Sequence, residues 1–150
     1  MNINFLLNGT LKVVNICPGE MLLDTLKKLD ILSVRRGCDT TSCGVCTVLL
    51  DNKPIPSCSF LSVRADGHAV TTVEGIPEEA EKLAKCFGEE GADQCGFCNP
   101  AFALTAYAMK QEKIVFDEQT IKDYLVGNLC RCSGYLSQEK ALRKYLGVDQ

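Results

Sequence analysis

Cys38-Asp39-Thr40-Thr41-Ser42-Cys43-Gly44-Val45-Cys46 sets three thiols in the spacing C-x4-C-x2-C, and Cys58 follows downstream as a fourth. Three sulfurs in one tight loop, with the fourth arriving from elsewhere in the chain, is the ligand spacing of a plant-type [2Fe-2S] cluster. Gly37 and Gly44 let the backbone approach those sulfurs closely.

Upstream of the loop the chain reads as strands around one helix. Ile3, Phe5 and Leu7 alternate, Asn8-Gly9 is a two-residue hairpin signal, and Leu11, Val13 and Ile16 are expected on the return strand. Cys17-Pro18-Gly19-Glu20 breaks this hairpin, after which Met21, Leu22, Leu26 and Leu29 recur at helical spacing. Downstream, Thr47-Val48-Leu49-Leu50 resumes as a strand, Asp51-Asn52-Lys53 turns, and Ala69 to Val73 makes a last strand behind the Asp66-Gly67 turn. Hairpin, helix and further strands in this order predict a β-grasp over residues 1–75.

From Glu74-Gly75-Ile76-Pro77 onward the period becomes helical, which predicts a separate all-α domain over residues 76–150 and an α+β chain overall. Helices are expected from about Glu78 to Phe87 and from Pro100 to Gln111 with Asn99 as N-cap. Two more are expected behind Asp117 as far as Gly127, and behind Ser137 as far as Gly147. A second set of thiols, Cys95, Cys98, Cys130 and Cys132, lies just before two of these helices in the pattern C-x2-C…C-x-C. An anionic group there would meet free N–H groups and the positive ends of helix dipoles. The C-x-C pair suits structural zinc poorly, so iron–sulfur is preferred over zinc or disulfides at both sets.

The composition closes off other classes. A net charge of -3 and a pI near 5.2 argue against nucleic acid. No apolar run reaches a membrane span, and Met1-Asn2-Ile3-Asn4 lacks the basic start of an export signal. A cytoplasmic setting is expected, where cysteine clusters bind metal more often than they form disulfides.

Several blocks carry a family resemblance: Gly37-Cys38 through Cys46-Thr47-Val48, Ser57-Cys58, Thr72-Val73-Glu74-Gly75-Ile76, Gly91 through Pro100, and Gly127-Asn128-Leu129-Cys130-Arg131-Cys132-Ser133-Gly134-Tyr135. In this order they resemble the small iron–sulfur subunit of the molybdenum hydroxylases, the family of xanthine dehydrogenase, aldehyde oxidoreductase and carbon monoxide dehydrogenase. The resemblance implies a ferredoxin domain and a helical domain, each with one [2Fe-2S] cluster. It implies a partner subunit with the molybdopterin cofactor, nearer the helical-domain cluster, and another with FAD, nearer the first. Gln94 and Cys132 match family positions that approach the pterin. A hetero-oligomer follows, with no acid, base or nucleophile on this chain.

The match has departures. Asp39 and Thr41 stand where family members often have glycine, Asn99-Pro100-Ala101 replaces Thr-Pro-Gly, and Gln138 replaces an apolar residue, which is expected to weaken packing of the last helix. The loop Thr40-Thr41-Ser42 and the Asn99 variant point toward the purine-type hydroxylases. Cys86 is read as core packing, Cys17 as a lone thiol, His68 as a turn residue, and Glu78, Glu79, Glu81, Glu89 and Glu90 as a solvated helix face. Arg35, Arg36 and Arg131 flank the cysteines, as surface charges or as partners for an anionic cluster or a neighbouring subunit. A free-standing two-cluster electron carrier and a zinc-stapled interaction module stay open as alternatives.

Overall fold

The hairpin forms where Asn8-Gly9 can turn: both residues take positive φ, 50° and 80°, the twist that suits two antiparallel strands. The computed structural model describes residues 1–112 and 116–148, so residues 113–115 and 149–150 of the expected helical half lie outside the described residues. Strand β1 (Asn2–Leu7) pairs with β2 (Thr10–Asn15) from Asn2 opposite Asn15 to Leu7 opposite Thr10. Ile3, Phe5 and Leu7 enter the core as the alternation predicts. Leu11 and Val13 lie on the return strand as expected but are 64% and 66% exposed, while Val14 and Ile16 are buried. The register explains this, since Leu11 and Val13 face Leu6 and Asn4 on the outer side of the sheet.

Helix α1 (Leu22–Lys28) buries Leu22, Leu23 and Leu26 against the sheet core. Strand β3 (Thr47–Leu50) turns through Asp51-Asn52, both at positive φ, into β4 (Lys53–Pro56). Pro54 and Pro56 conceal β4 from sequence reading, yet it forms because it lies at the sheet edge, where a missing N–H costs least. Strand β5 (Ala69–Thr71) is parallel to β1 and antiparallel to β3, giving the order β2-β1-β5-β3-β4. That mixed sheet with one covering helix is the β-grasp.

The second half holds α2 (Pro77–Glu89), α3 (Asn99–Gln111), α4 (Glu118–Leu125) and α5 (Leu136–Leu146). Asp117 caps α4 as expected, accepting from Thr120 N at 2.7 Å. Asn99 does not cap α3: Cys98 holds that position without a side-chain bond, and Asn99 Nδ2 donates to Asp93 Oδ1 at 2.9 Å. Helix α5 begins at Leu136, one residue before Ser137, because Tyr135 turns the chain at φ 72°; Gly147 ends it at φ 74°. Phe102 of α3 meets Phe87 of α2 edge to face at 6.3 Å between ring centroids. The halves share apolar cores: Leu49 of β3 packs with Leu104 and Ala108 of α3, and Cys43 and Val45 pack among the helices.

Candidate metal centres

The loop after α1 gathers the first thiols by turning sharply at Thr41 and Gly44, with φ of 61° and 68°. Cys43 and Cys46 are buried, and Cys38 and Cys58 half-buried. The side chains stand two by two, Cys38 with Cys43 and Cys46 with Cys58. Backbone N–H of Cys43, the Cys43 thiol and the N–H groups of Thr40 and Ser42 all favour the Cys38 thiolate, bringing its pKa down to about 6. Burial pushes Cys43 up, and pushes Cys58 up to about 11, with Cys46 adding to the latter and the Thr41 hydroxyl opposing it.

The second set is assembled from the N-terminus of α3 and the loop before α5. Cys132 Sγ lies 3.5 Å from Cys95 Sγ, and Cys98 faces Cys130. Burial and then Cys130 push Cys98 up to about 11, while Gln138 opposes the shift. Cys130 goes the other way: burial raises it, but hydrogen bonding from Ser133 and the N–H of Cys132 outweighs that and brings it to about 7. Cys95 raises the Cys132 pKa. A cavity of about 320 Å³ opens among Cys95, Cys98, Cys130, Cys132 and Cys43, with Phe97, Leu129 and Tyr135 at its rim.

Among the described residues, no three histidine, cysteine or acidic side chains close on one point as the ligands of a lone ion would. The thiols stand in pairs instead, all-sulfur and served by N–H donors. Such a donor set fits a sulfur-bridged pair of irons, which asks for two thiolates per iron and hydrogen bonds to sulfur.

Three contacts join the two thiol sets. Leu129 N, one residue before Cys130, donates to the carbonyl oxygen of Cys43 at 2.9 Å. Gly44 lies so near Gly127 that a Cβ there would meet the Gly127 carbonyl oxygen at 1.9 Å. Arg35 Nη1 donates to the carbonyls of Gly96 and Phe97, each at 3.0 Å, and its guanidinium lies 5.3 Å from the Phe97 ring centroid. Arg35 thus bridges loops of its own chain, a role beyond those considered for it, whereas Arg36 reaches Asp24 Oδ1 at 3.3 Å.

The remaining residues separate clearly. Gln94 and Cys132 are exposed beside Cys95. Gln138, expected to weaken packing, is wholly buried and bonds Ser133 and Cys98. Glu79 does not belong to a solvated face: it accepts from Lys82, Lys110 and Tyr145 at 2.6 to 2.8 Å. Cys86 is half-buried against the helical core, Cys17 is exposed, and exposed His68 pairs with Asp51 Oδ2 at 2.6 Å. The roles of Arg35, Leu129 and Glu79 left no local signal in the sequence, because their partners lie far along the chain.

Known proteins share this arrangement. Residues 5–72 match a family described as a 2Fe-2S iron-sulfur cluster binding domain, and residues 72–143 one described as a [2Fe-2S] binding domain. The nicotinate dehydrogenase small FeS subunit of Eubacterium barkeri is 37% identical, over 95% of this chain and 93% of its own. The xanthine dehydrogenase iron-sulfur-binding subunit of Escherichia coli O157:H7 is 36% identical, over 86% and 84%. Quinoline 2-oxidoreductase of Pseudomonas putida 86 contains a chain that superposes with a TM-score of 0.87 at 33% identity, covering 95% of this chain and 90% of that one. Aldehyde oxidoreductase of Desulfovibrio desulfuricans superposes at 0.90 and 32% identity, over 98% of this chain but 17% of its own longer one. With family models over both halves of the fold and nearly the full length of a small-subunit relative matched, the chain belongs to the small two-cluster iron–sulfur subunits of the molybdenum hydroxylases.

Proposed function

We propose that this chain is the electron-transfer subunit between a molybdopterin-bearing partner and an FAD-bearing partner in a hetero-oligomeric hydroxylase of the purine or xanthine type. The reading rests on one observation above the rest: two all-sulfur sites are joined by a direct hydrogen bond from Leu129 N to Cys43 O. Cys38, Cys43, Cys46 and Cys58 would hold one [2Fe-2S] cluster in the β-grasp half, residues 1–75. Cys95, Cys98, Cys130 and Cys132 would hold the other in the helical half, residues 76–150. When bound, such clusters take up and release one electron each.

This chain's residues do the positioning. Backbone N–H groups of the first loop, and Ser133 N at 3.4 Å from Cys130 Sγ, favour anionic sulfur. Arg35 and Leu129 hold the two loops in register. Exposed Phe97, Leu129 and Tyr135 line the same cavity as exposed Cys95 and Cys132, an apolar rim that suits docking of the molybdenum subunit there. Exposed Gln94 beside Cys95 and Cys132 supports their assignment as pterin contacts. Among the described residues no helix is long and apolar enough to cross a membrane, and the abundance of thiols favours a reducing cytoplasm. The nicotinate, xanthine and quinoline relatives support an N-heteroaromatic substrate, which the molybdenum partner would select.

Purification from the native source tests the assembly. A permanent subunit co-elutes with larger chains carrying molybdenum and flavin, whereas a carrier runs alone. Within that assembly, Gln94→Ala is expected to keep its iron but slow reduction of the clusters by substrate; unchanged reduction kinetics would remove Gln94 from the pterin site.

A further inference from the structure

Gln138, on the first turn of α5, has 0% of its surface exposed. A buried primary amide has two donor hydrogens and a carbonyl to satisfy. Its Oε1 accepts from Ser133 Oγ at 2.7 Å, and its Nε2 lies 3.8 Å from Cys98 Sγ, a reach that sulfur's large radius permits. Ser133 decides which way the amide faces. Its Oγ accepts the Tyr135 N–H at 3.1 Å and donates its single proton to the Gln138 carbonyl, which leaves the NH2 end facing sulfur. The reverse orientation would set a carbonyl lone pair against a thiolate.

We propose that Gln138 sets the potential of the second cluster, donating a hydrogen bond to the Cys98 thiolate that favours the reduced state, with Ser133 orienting the amide. The proposal rests on the reading of Cys98 as a cluster ligand. Reduction adds negative charge that the ligand sulfurs share, and an N–H dipole aimed at one of them stabilises that charge. Both Gln138 and Cys98 are buried, so the dipole acts with less dilution than water would impose at an exposed sulfur. Ser133 acts twice: its N–H donates to Cys130 Sγ at 3.4 Å while its hydroxyl fixes Gln138. If Gln138 only packed, a side chain of the same length without a donor would fill the space and leave the potential unmoved, which separates the two roles.

The test is an EPR-monitored redox titration of the full chain with its clusters, comparing wild type, Gln138→Met and Ser133→Ala. In Gln138→Met one of the two signals, and only one, is expected to move to a more negative midpoint. Ser133→Ala should move the same signal in the same direction by less. Midpoints unmoved in Gln138→Met, or moved equally for both clusters, would overturn the proposal. If Gln138→Met folds poorly, Ser133→Ala decides alone, because it leaves the core side chain in place: an unmoved midpoint overturns it. The wild-type titration reports on the clusters themselves, so failure of the cluster reading would appear there as missing signals.

Discussion

Gly44 and Arg35 show how single residues hold two metal sites together. At Gly44 the backbone is at φ 68° and any Cβ would strike the Gly127 carbonyl. Left-handed geometry alone costs a non-glycine residue about 1–2 kcal/mol, and here the contacted atom is backbone that cannot step aside. Gly44→Ala should therefore lower stability by at least about 2 kcal/mol and reduce iron content; an unchanged denaturation midpoint would show that the loops can separate freely. Arg35→Met removes two hydrogen bonds to the carbonyls of Gly96 and Phe97, at a cost of about 1–3 kcal/mol. Faster iron loss to a chelator is expected, and a wild-type rate would contradict the bridging role. Thr41 is the opposite case. A β-branched residue at φ 61° is strained, which explains why glycine suits that position, and its hydroxyl on Cys58 offsets part of the strain.

At the scale of elements, Glu79 ties three helices. It lies on α2 and accepts from Lys110 of α3, Tyr145 of α5 and Lys82 of its own helix. Hydrogen bonds from Lys110, then Lys82, then Tyr145 hold its pKa down at about 2, below the ordinary 4.5. A carboxylate with a depressed folded pKa contributes stability that is fully present above its unfolded value and lost as pH falls through the folded one. The stability gap between wild type and Glu79→Gln should thus narrow as pH falls from 4.5 toward 2, read as the difference in thermal midpoints. A constant gap would exclude the pairing as its source. The elements themselves were largely legible: Asn8-Gly9 and Asp117 announce a turn and a cap through local chemistry. What stayed hidden was set at a distance. Edge position rescues proline-bearing β4, pairing register turns Leu11 and Val13 outward, and tertiary partners draw Glu79 from an apparently solvated face.

At the scale of the whole molecule, the gathering of eight thiols into two sets was legible because the spacing within each loop is a local constraint. The joining of their sites was not, since Cys43 meets Leu129, and Arg35 meets Gly96, across long stretches of chain. These contacts make the two halves one unit, with Cys43 packed in the helical core while its loop belongs to the β-grasp side. This unit would carry two [2Fe-2S] clusters. An anaerobic EPR spectrum of the dithionite-reduced protein, taken with metal analysis, tests it most directly. Two distinct signals and about four irons per chain are expected. Zinc in place of iron with no signal, or a single signal with about two irons, would contradict it.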